Sequence, residues 1–452
     1  MSDITRRKFL CGSALAAAGL SASGWASRQS ARRVVAPGDQ LNIGIIGAGG
    51  RGADNLAGVG TERIVALCDV DERQAAKAFA RYPQARRYRD FRRMLDAEKA
   101  LDAVVVSTPD HVHAVASIAA MRRGLHVYCE KPLTRTIWEA RMMRQVARET
   151  GVVTQMGTQG HALEGSRRAV ETIRAGVIGD VTELHVWTDR PAGWWPQGVE
   201  RPSGTPPVPP QLDWELWLGP APSRPYHPAY VPFVWRGWYD FGTGAIGDMG
   251  VHNLDAAFWA LELGLPSSAQ LMDSSRRGAE GPPEWDIIEL NFPARDRRPP
   301  VAMTFYSGKQ QPPRDLFSGE PIPTNGSLVI GSKGTLFTRT WHGGETDEDM
   351  FLLLPRNTFA DSIPPTPSLS RPPVRGESGH HQEWIRACKD EGQALSNFAY
   401  ASTLTEALLI GLLAVRTGKR IEWDAENMRA KGVPEADPFI KPDFRSGWEI
   451  RP

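Results

Sequence analysis

Cysteine is rare in this 452-residue chain and net charge is nearly absent, and each scarcity closes off a class of protein. The four cysteines, Cys11, Cys68, Cys129 and Cys388, form no CxxC pair and no metal-ligand spacing, so neither a disulfide framework nor a zinc cluster is expected. The basic residues number 53 and the acidic ones 52, leaving a formal charge of +1. That is too weak a field to hold nucleic acid or an anionic membrane surface, so no nucleic-acid partner is expected. No internal repeat of fixed period is visible, which sets solenoids and propellers aside. The length exceeds one ordinary domain.

The N-terminus carries Arg6-Arg7-Lys8-Phe9-Leu10 directly before an apolar run rich in Ala, Gly and Ser that ends near Trp25-Ala26. This is the plan of a twin-arginine signal peptide, assigned to residues 1–30, with a polar linker at 31–40. The run is too short and too interrupted for a membrane span, which needs about 20 predominantly apolar residues. The expectation is therefore an exported, periplasmic protein with no stable membrane span after export. Cys11 comes too early in the run to be a lipid-attachment cysteine.

From Leu41 short apolar runs alternate with helical patterns: Leu41–Ile46, Ile64–Cys68, Ala103–Val106, His126–Cys129 and Val152–Gln155 read as strands with helices between them. That alternation predicts an α/β Rossmann domain, a doubly wound parallel sheet, over residues 41–157. Residues 158–375 change texture. Strand-like runs at Thr182–Thr188, Asp286–Phe292, Val301–Tyr306, Leu328–Ile330 and Thr335–Thr338 predict an α+β domain with a large open, mainly antiparallel sheet. A Pro- and Trp-rich stretch, 191–238, has no periodicity, and loops of that length in compact domains are functional or disordered. Its tryptophans argue against disorder. Residues 376–452 read as C-terminal helices and a tail packing back on the core.

The chemistry concentrates at strand ends. Gly47-Ala48-Gly49-Gly50-Arg51-Gly52 follows a strand and opens a helix: Gly47 permits the turn, Gly49 a close approach to pyrophosphate, and Gly52 helix-on-strand packing. Gly50 and Arg51 complete the loop facing the cofactor. Asp69, ending the next strand, is placed to bond a ribose 2′-hydroxyl and repel a 2′-phosphate, which favours NAD, while Arg73 nearby leaves NADP open. Thr108-Pro109-Asp110-His111-Val112-His113 and Glu130-Lys131-Pro132 cap two further strands at their carboxyl ends, where ligands sit in open α/β sheets. Thr108, Pro109, His113 and Glu130 are expected on the cofactor, and Lys131 at its reactive end. His111 and His113 have no third ligand of suitable spacing, so no metal is expected.

These motifs, together with Gly247-Asp248-Met249-Gly250-Val251-His252-Asn253-Leu254-Asp255, resemble the Gfo/Idh/MocA family of glucose-fructose oxidoreductase, inositol dehydrogenase and rhizopine-catabolism proteins. The resemblance runs from residue 41 to about 425. It implies that Lys131, Asp248 and His252 meet a sugar-like substrate, with His252 taking a hydroxyl proton and Asp248 orienting hydroxyls. It also implies that Gln159 offers an amide to cofactor or substrate, and that the open sheet mediates a homo-oligomer. Trp194, Trp195, Trp235 and Trp238 are candidate platforms for sugar rings, and Arg236 and Tyr239 candidate hydroxyl contacts. The function implied is an exported NAD(P)-dependent oxidoreductase acting on a sugar, glycoside or cyclitol hydroxyl. Outside the cytoplasm it would need a tightly held cofactor regenerated within its own cycle. A redox-assisted glycosidase is the alternative; a non-enzymatic sugar-binding module is argued against by Lys131, Asp248 and His252.

Overall fold

The computed structural model describes residues 35–339 and 351–451. The leader, Cys11 and the first part of the linker lie outside the described residues.

Six parallel strands, β1 (Asn42–Ile46), β2 (Arg63–Cys68), β3 (Arg86–Tyr88), β4 (Ala103–Val106), β5 (His126–Glu130) and β6 (Thr154–Gly157), form one sheet in the order β3-β2-β1-β4-β5-β6. The helices between them are α1 (Arg51–Gly58), α2 (Glu72–Arg81), α3 (Phe91–Ala97), α4 (Asp110–Met121) and α5 (Ile137–Thr150). β1, β4 and β5 are buried almost throughout, which is why they read as unbroken apolar runs. The order reverses between β1 and β4, and a doubly wound sheet binds its ligands outside the carboxyl ends at such a point. Edge strand β3, Arg86-Arg87-Tyr88, escapes a hydrophobicity reading because two of its three residues are exposed arginines. α4 begins at Asp110, directly after Pro109, whose φ of −58° leads into the helix.

After α6 (Glu164–Arg174) the chain enters a nine-stranded sheet. Its strands are β7 (Val181–Thr188), β8 (Ser268–Ser274), β9 (Asp286–Phe292), β10 (Val301–Tyr306), β11 (Asn325–Gly331), β12 (Gly334–Thr338), β13 (Leu352–Leu354), β14 (Ile421–Asp424) and β15 (Arg429–Ala430). The sheet is mainly antiparallel, with one exception: β7 and β10 run parallel, Leu184 opposite Met303. In β9 buried and half-buried residues alternate, the signature that made it legible. The stretch 191–238 is ordered largely by aromatic packing, with Trp214 stacked on Trp217 at 4.8 Å in the short helix α7 (Trp214–Leu218).

Three later helices are α8 (Val251–Asn253), α9 (Asp255–Leu261) and α10 (Glu377–Cys388); α8 and α10 bring residues to the site. Trp384, Ile385 and Cys388 of α10 join the buried cluster of Ile43, Val105 and Tyr128, so this C-terminal helix covers the first sheet. α11 (Phe398–Thr417) packs on α5 and on β8 and β9. Among the described residues it is the one helix long and apolar enough to cross a membrane, and 83% of its most apolar window is buried inside the protein.

Candidate active site

A cleft of about 520 Å³ runs along the carboxyl ends of the first sheet, from the glycine loop to Lys131 and His252. At one end the loop closes on itself in a way only glycine allows. Gly47 has φ +84°, and a Cβ on Gly52 would lie 1.8 Å from the Gly47 carbonyl oxygen. The turn brings the first amides of α1 to the cleft, and Gly47, Gly49, Gly50 and Arg51 line it. Gly52 does not; it serves the packing beneath. Asp69 lines the cleft and also braces the loop, its Oδ2 accepting the Ala48 and Gly49 N–H groups at 2.9 and 3.0 Å. Burial pushes this carboxyl up from its ordinary range. A tight glycine turn, helix amides facing inward and a carboxylate at the end of β2 together fit an adenine dinucleotide.

In the middle of the cleft Glu130 is a hub. Its Oε1 accepts from Asn55 Nδ2 and Gln159 Nε2, each at 2.9 Å, and from Arg51 Nε at 3.3 Å. Burial opposes its charge, but the Arg51 guanidinium and these donors hold the carboxyl below its ordinary range. Arg51 also donates to Glu377 Oε2 at 2.9 Å, which ties α10 to the site. That link was invisible in sequence, because 326 positions separate the two residues. Thr108 and Pro109 line the cleft beside this hub.

His113, expected on the cofactor, lies beneath the cleft instead. Its Nε2 and Nδ1 face the carbonyl oxygens of Thr108 and Pro132 at 2.8 and 2.9 Å. Carbonyls only accept, so satisfying both requires an imidazolium with two N–H donors. Burial opposes that charge, yet Cys129 and the two carbonyls raise the ring to about 9. The side chain clasps the loop after β4 to the loop after β5. His111 points elsewhere, its Nε2 3.0 Å from the Trp217 carbonyl, and burial lowers it to about 3.

At the far end Lys131 Nζ donates to Asp248 Oδ1 at 2.8 Å and to the Asp248 carbonyl at 2.9 Å. Arg190 Nη1 donates to Oδ2 at 2.8 Å, and Arg236 Nε to Oδ1 at 3.3 Å. Asp248 is buried, but three cations on one carboxylate keep it ionised, far below the ordinary range. His252 lies one turn on, its Nδ1 3.2 Å from Thr158 Oγ1. Burial, and after it the charge of Lys131, pushes this imidazole well below its ordinary value, so it is neutral. The structure thus brings Lys131, Asp248 and His252 together across the two halves of the chain.

The aromatic candidates divide. Trp235 and Arg236 line the cleft, as does Trp194, which is 49% exposed. Trp195 is buried with its Nε1 donating to Gln197 Oε1 at 2.8 Å, and Trp238 is buried with its Nε1 on the Ala229 carbonyl. Tyr239 is buried too, beneath the Arg416 guanidinium at 4.3 Å. Trp195 and Tyr239 are therefore packing residues and do not line the cleft. Sequence reasoning missed Arg190, Phe233 and Asp110. The Asp110 carboxyl accepts from Thr243 Oγ1 at 3.0 Å, and burial raises it to about 7.

Residues 41–158 match a family model described as an oxidoreductase family with an NAD-binding Rossmann fold. Residues 176–288 match that family's C-terminal alpha/beta domain. Over 187 residues the chain is 29% identical to 1,5-anhydro-D-fructose reductase of Ensifer adhaerens, covering 40% of this chain and 44% of that protein. Over 209 residues it is 31% identical to a glycosyl hydrolase family 109 protein of Solibacter usitatus, covering 40% and 45%. The match thus spans under half the length of each of these curated relatives. The WlbA dehydrogenase from Bordetella pertussis, solved with NADH and UDP-GlcNAcA, shares the fold with a TM-score of 0.59. That likeness covers 85% of this chain and 99% of the other at 16% identity, a level that speaks to fold alone.

Proposed function

The chain belongs to the Gfo/Idh/MocA oxidoreductase family, and on that footing we propose that it moves a hydride between a nicotinamide cofactor and a carbinol of a sugar, glycoside or cyclitol. The observation that carries this reading is the Lys131–Asp248 pair at 2.8 Å, set beside His252 in the same cleft as the glycine loop. NAD, when bound, supplies the hydride acceptor. The Asp69 carboxylate would repel a 2′-phosphate and so favours NAD over NADP.

The protein's own part is proton handling and orientation. Lys131 donates to the substrate oxygen and stabilises the negative charge that grows there as its proton leaves. Asp248 fixes the lysine, and neutral His252 offers a nitrogen lone pair to the hydroxyl proton. Because burial disfavours the imidazolium, His252 holds that proton only transiently. In the reverse direction the same property makes it a ready donor.

Purified protein incubated with a panel of sugars, cyclitols and aryl glycosides, with and without added NAD, tests the proposal. NADH or a keto-product should form, and Lys131→Met should abolish it while cofactor binding persists. Full turnover in that variant would remove Lys131 from the mechanism. A second reading, redox-assisted glycoside cleavage, is favoured by the similarity to the glycosyl hydrolase family 109 protein. There, transient oxidation of a substrate hydroxyl acidifies the neighbouring C–H, elimination expels the aglycone, water adds, and the returned hydride restores the alcohol. Released aglycone without net NADH separates the two.

Export through Arg6-Arg7, retention of the cofactor during turnover and self-association through the large sheet complete the proposal. Cell fractionation of the wild type and of a variant carrying Arg6→Lys and Arg7→Lys tests the first of these. Release of nicotinamide nucleotide on denaturation tests the second, and sedimentation the third.

A further inference from the structure

The substrate end of the cleft carries more positive charge than the protein itself neutralises. Lys131, Arg190 and Arg236 share one carboxylate, Asp248, at 2.8, 2.8 and 3.3 Å. Of the other acids nearby, Glu130 takes the Arg51 guanidinium at 3.3 Å, and Asp110, raised to about 7 by burial although Arg236 and Lys131 favour its charge, offsets the excess only in part near neutral pH. Water compensates this excess poorly, because the Lys131 and Arg190 side chains are only 13% and 18% exposed. Uncompensated charge held at such depth is costly unless a partner arrives.

The two guanidiniums are also braced as a receptor would be. Arg190 lies 4.0 Å over the Trp194 ring, and Arg236 lies 4.2 Å over Trp235 and 4.3 Å over Phe233. Stacking fixes each plane. Arg190 spends Nη1 on Asp248, and Arg236 spends Nε on Asp248 and Nη1 on the Phe233 carbonyl at 3.1 Å. The N–H groups that remain suit a carboxylate or phosphate acceptor. Arg190 Nε is buried and has no hydrogen-bond partner among the described residues. The glycine loop, which supplies its own amides for phosphate, lies at β1, with β4 between it and the Lys131 strand β5.

We propose that the substrate is an acidic sugar or cyclitol, whose carboxylate or phosphate is received by Arg190 and Arg236 while the reacting hydroxyl faces Lys131. The inference rests on the functional reading above and narrows its substrate class. The anion completes the charge balance around Asp248, and the exposed faces of Trp194 and Phe233 flank its ring.

The test uses full-length, NAD-loaded protein and matched pairs: D-glucuronate and D-glucose 6-phosphate against D-glucose, and D-galacturonate against D-galactose. Binding is read by tryptophan quenching and turnover by NADH. At least one acidic member should bind about tenfold or more tightly than its neutral parent, with the uronate and phosphate arms telling the two anions apart. Arg190→Gln should reduce that preference to about twofold and Arg190→Lys should restore part of it. In the wild type, added KCl should erode the preference while leaving the neutral sugars unaffected. Equal affinity for acids and neutral parents, no binding of any acid, or a preference untouched by both salt and Arg190→Gln overturns the proposal. Turnover of neutral sugars without acid preference defeats this inference alone. Tight acid binding with no hydride transfer for any ligand defeats the oxidoreductase reading alone.

Discussion

Asp248 and Lys131 form one ion pair, yet removing either side should have very different consequences for the fold. Asp248 is buried against Lys131, Arg190 and Arg236 at 2.8, 2.8 and 3.3 Å. At about 3 Å and an effective dielectric of about 20, each contact is worth roughly 5 kcal/mol of gross attraction. Most of that offsets desolvation, and breaking a buried pair by deleting one partner costs about 3–5 kcal/mol net. Asp248→Asn strips the carboxylate that all three of these cations contact and should lose that much. Lys131→Met leaves Asp248 with both guanidiniums and places an apolar chain of similar length in the lysine's slot. Its cost should be clearly smaller than that of Asp248→Asn, because the carboxylate keeps two of its three cations.

Urea unfolding of the wild type and both variants, without added ligand, measures the difference. Added sulfate should recover part of the loss in Asp248→Asn, because an anion can occupy the space between the cations, and should do little for Lys131→Met. Activity should not follow the stability order. Both variants should fall by about 100-fold or more, the range for losing a donor that stabilises the developing charge on the substrate oxygen, or the group that positions it. Equal destabilisation of the two variants, or an Asp248→Asn protein as stable as wild type, would refute the charge accounting around this carboxylate.

The glycine loop, the His113 clasp and the Asp110 carboxyl give further expectations. Gly52→Ala would set a Cβ 1.8 Å from the Gly47 carbonyl, so the loop must open, and NAD affinity measured by calorimetry should fall by about tenfold or more. His113 is raised to about 9 when folded, above its ordinary value of about 6.5, so its stabilisation is full below pH 6.5 and lost as pH rises through 9. His113→Gln should flatten that part of the stability-against-pH curve, and an unchanged slope would show the ring to be neutral. Asp110, an acid raised to about 7, binds more protons folded than unfolded between pH 4 and 7, so stability falls as pH rises across that window. Asp110→Asn should remove this loss, on the order of 4 kcal/mol at pH 8, as read by chemical denaturation at pH 5 and pH 8.

The first sheet was legible because its signals are local. β1, β4 and β5 are buried runs, and the fingerprint from Gly47 to Gly52 is one turn whose spacing is set by its own backbone. β3 and β8 were not legible. β3 is an arginine-rich edge, and β8 turns from buried residues to exposed ones along its length, with Met272 left 53% exposed. The parallel pairing of β7 with β10 was equally hidden, since strand direction depends on connections rather than on residue type.

Residue type also misled where burial decides the role. His113 and Tyr239 have the chemistry of ligand contacts, but a histidine whose two nitrogens meet two carbonyls has no atom left for a cofactor, and a tyrosine under Arg416 is shielded from the cleft. Trp195 and Trp194 are neighbours in sequence, yet one donates its N–H to Gln197 in the interior and the other carries Arg190 at the mouth. The charge cluster was the hardest feature to foresee. Asp248 is 117 positions from Lys131 and 58 from Arg190, and nothing near Arg190 marks it. Motif reading found the lysine, the aspartate and the histidine because they sit in short patterned segments. Arg190 enters only when the end of β7 is folded against α8 and its leading turn, and with it the site changes from a lone ion pair to a surplus of cations. On the proposed reading, that surplus, more than the presence of Lys131, would discriminate among hydroxylated substrates. A lysine–carboxylate pair can address any carbinol, whereas two stacked guanidiniums around a shared carboxylate favour one that brings its own negative charge.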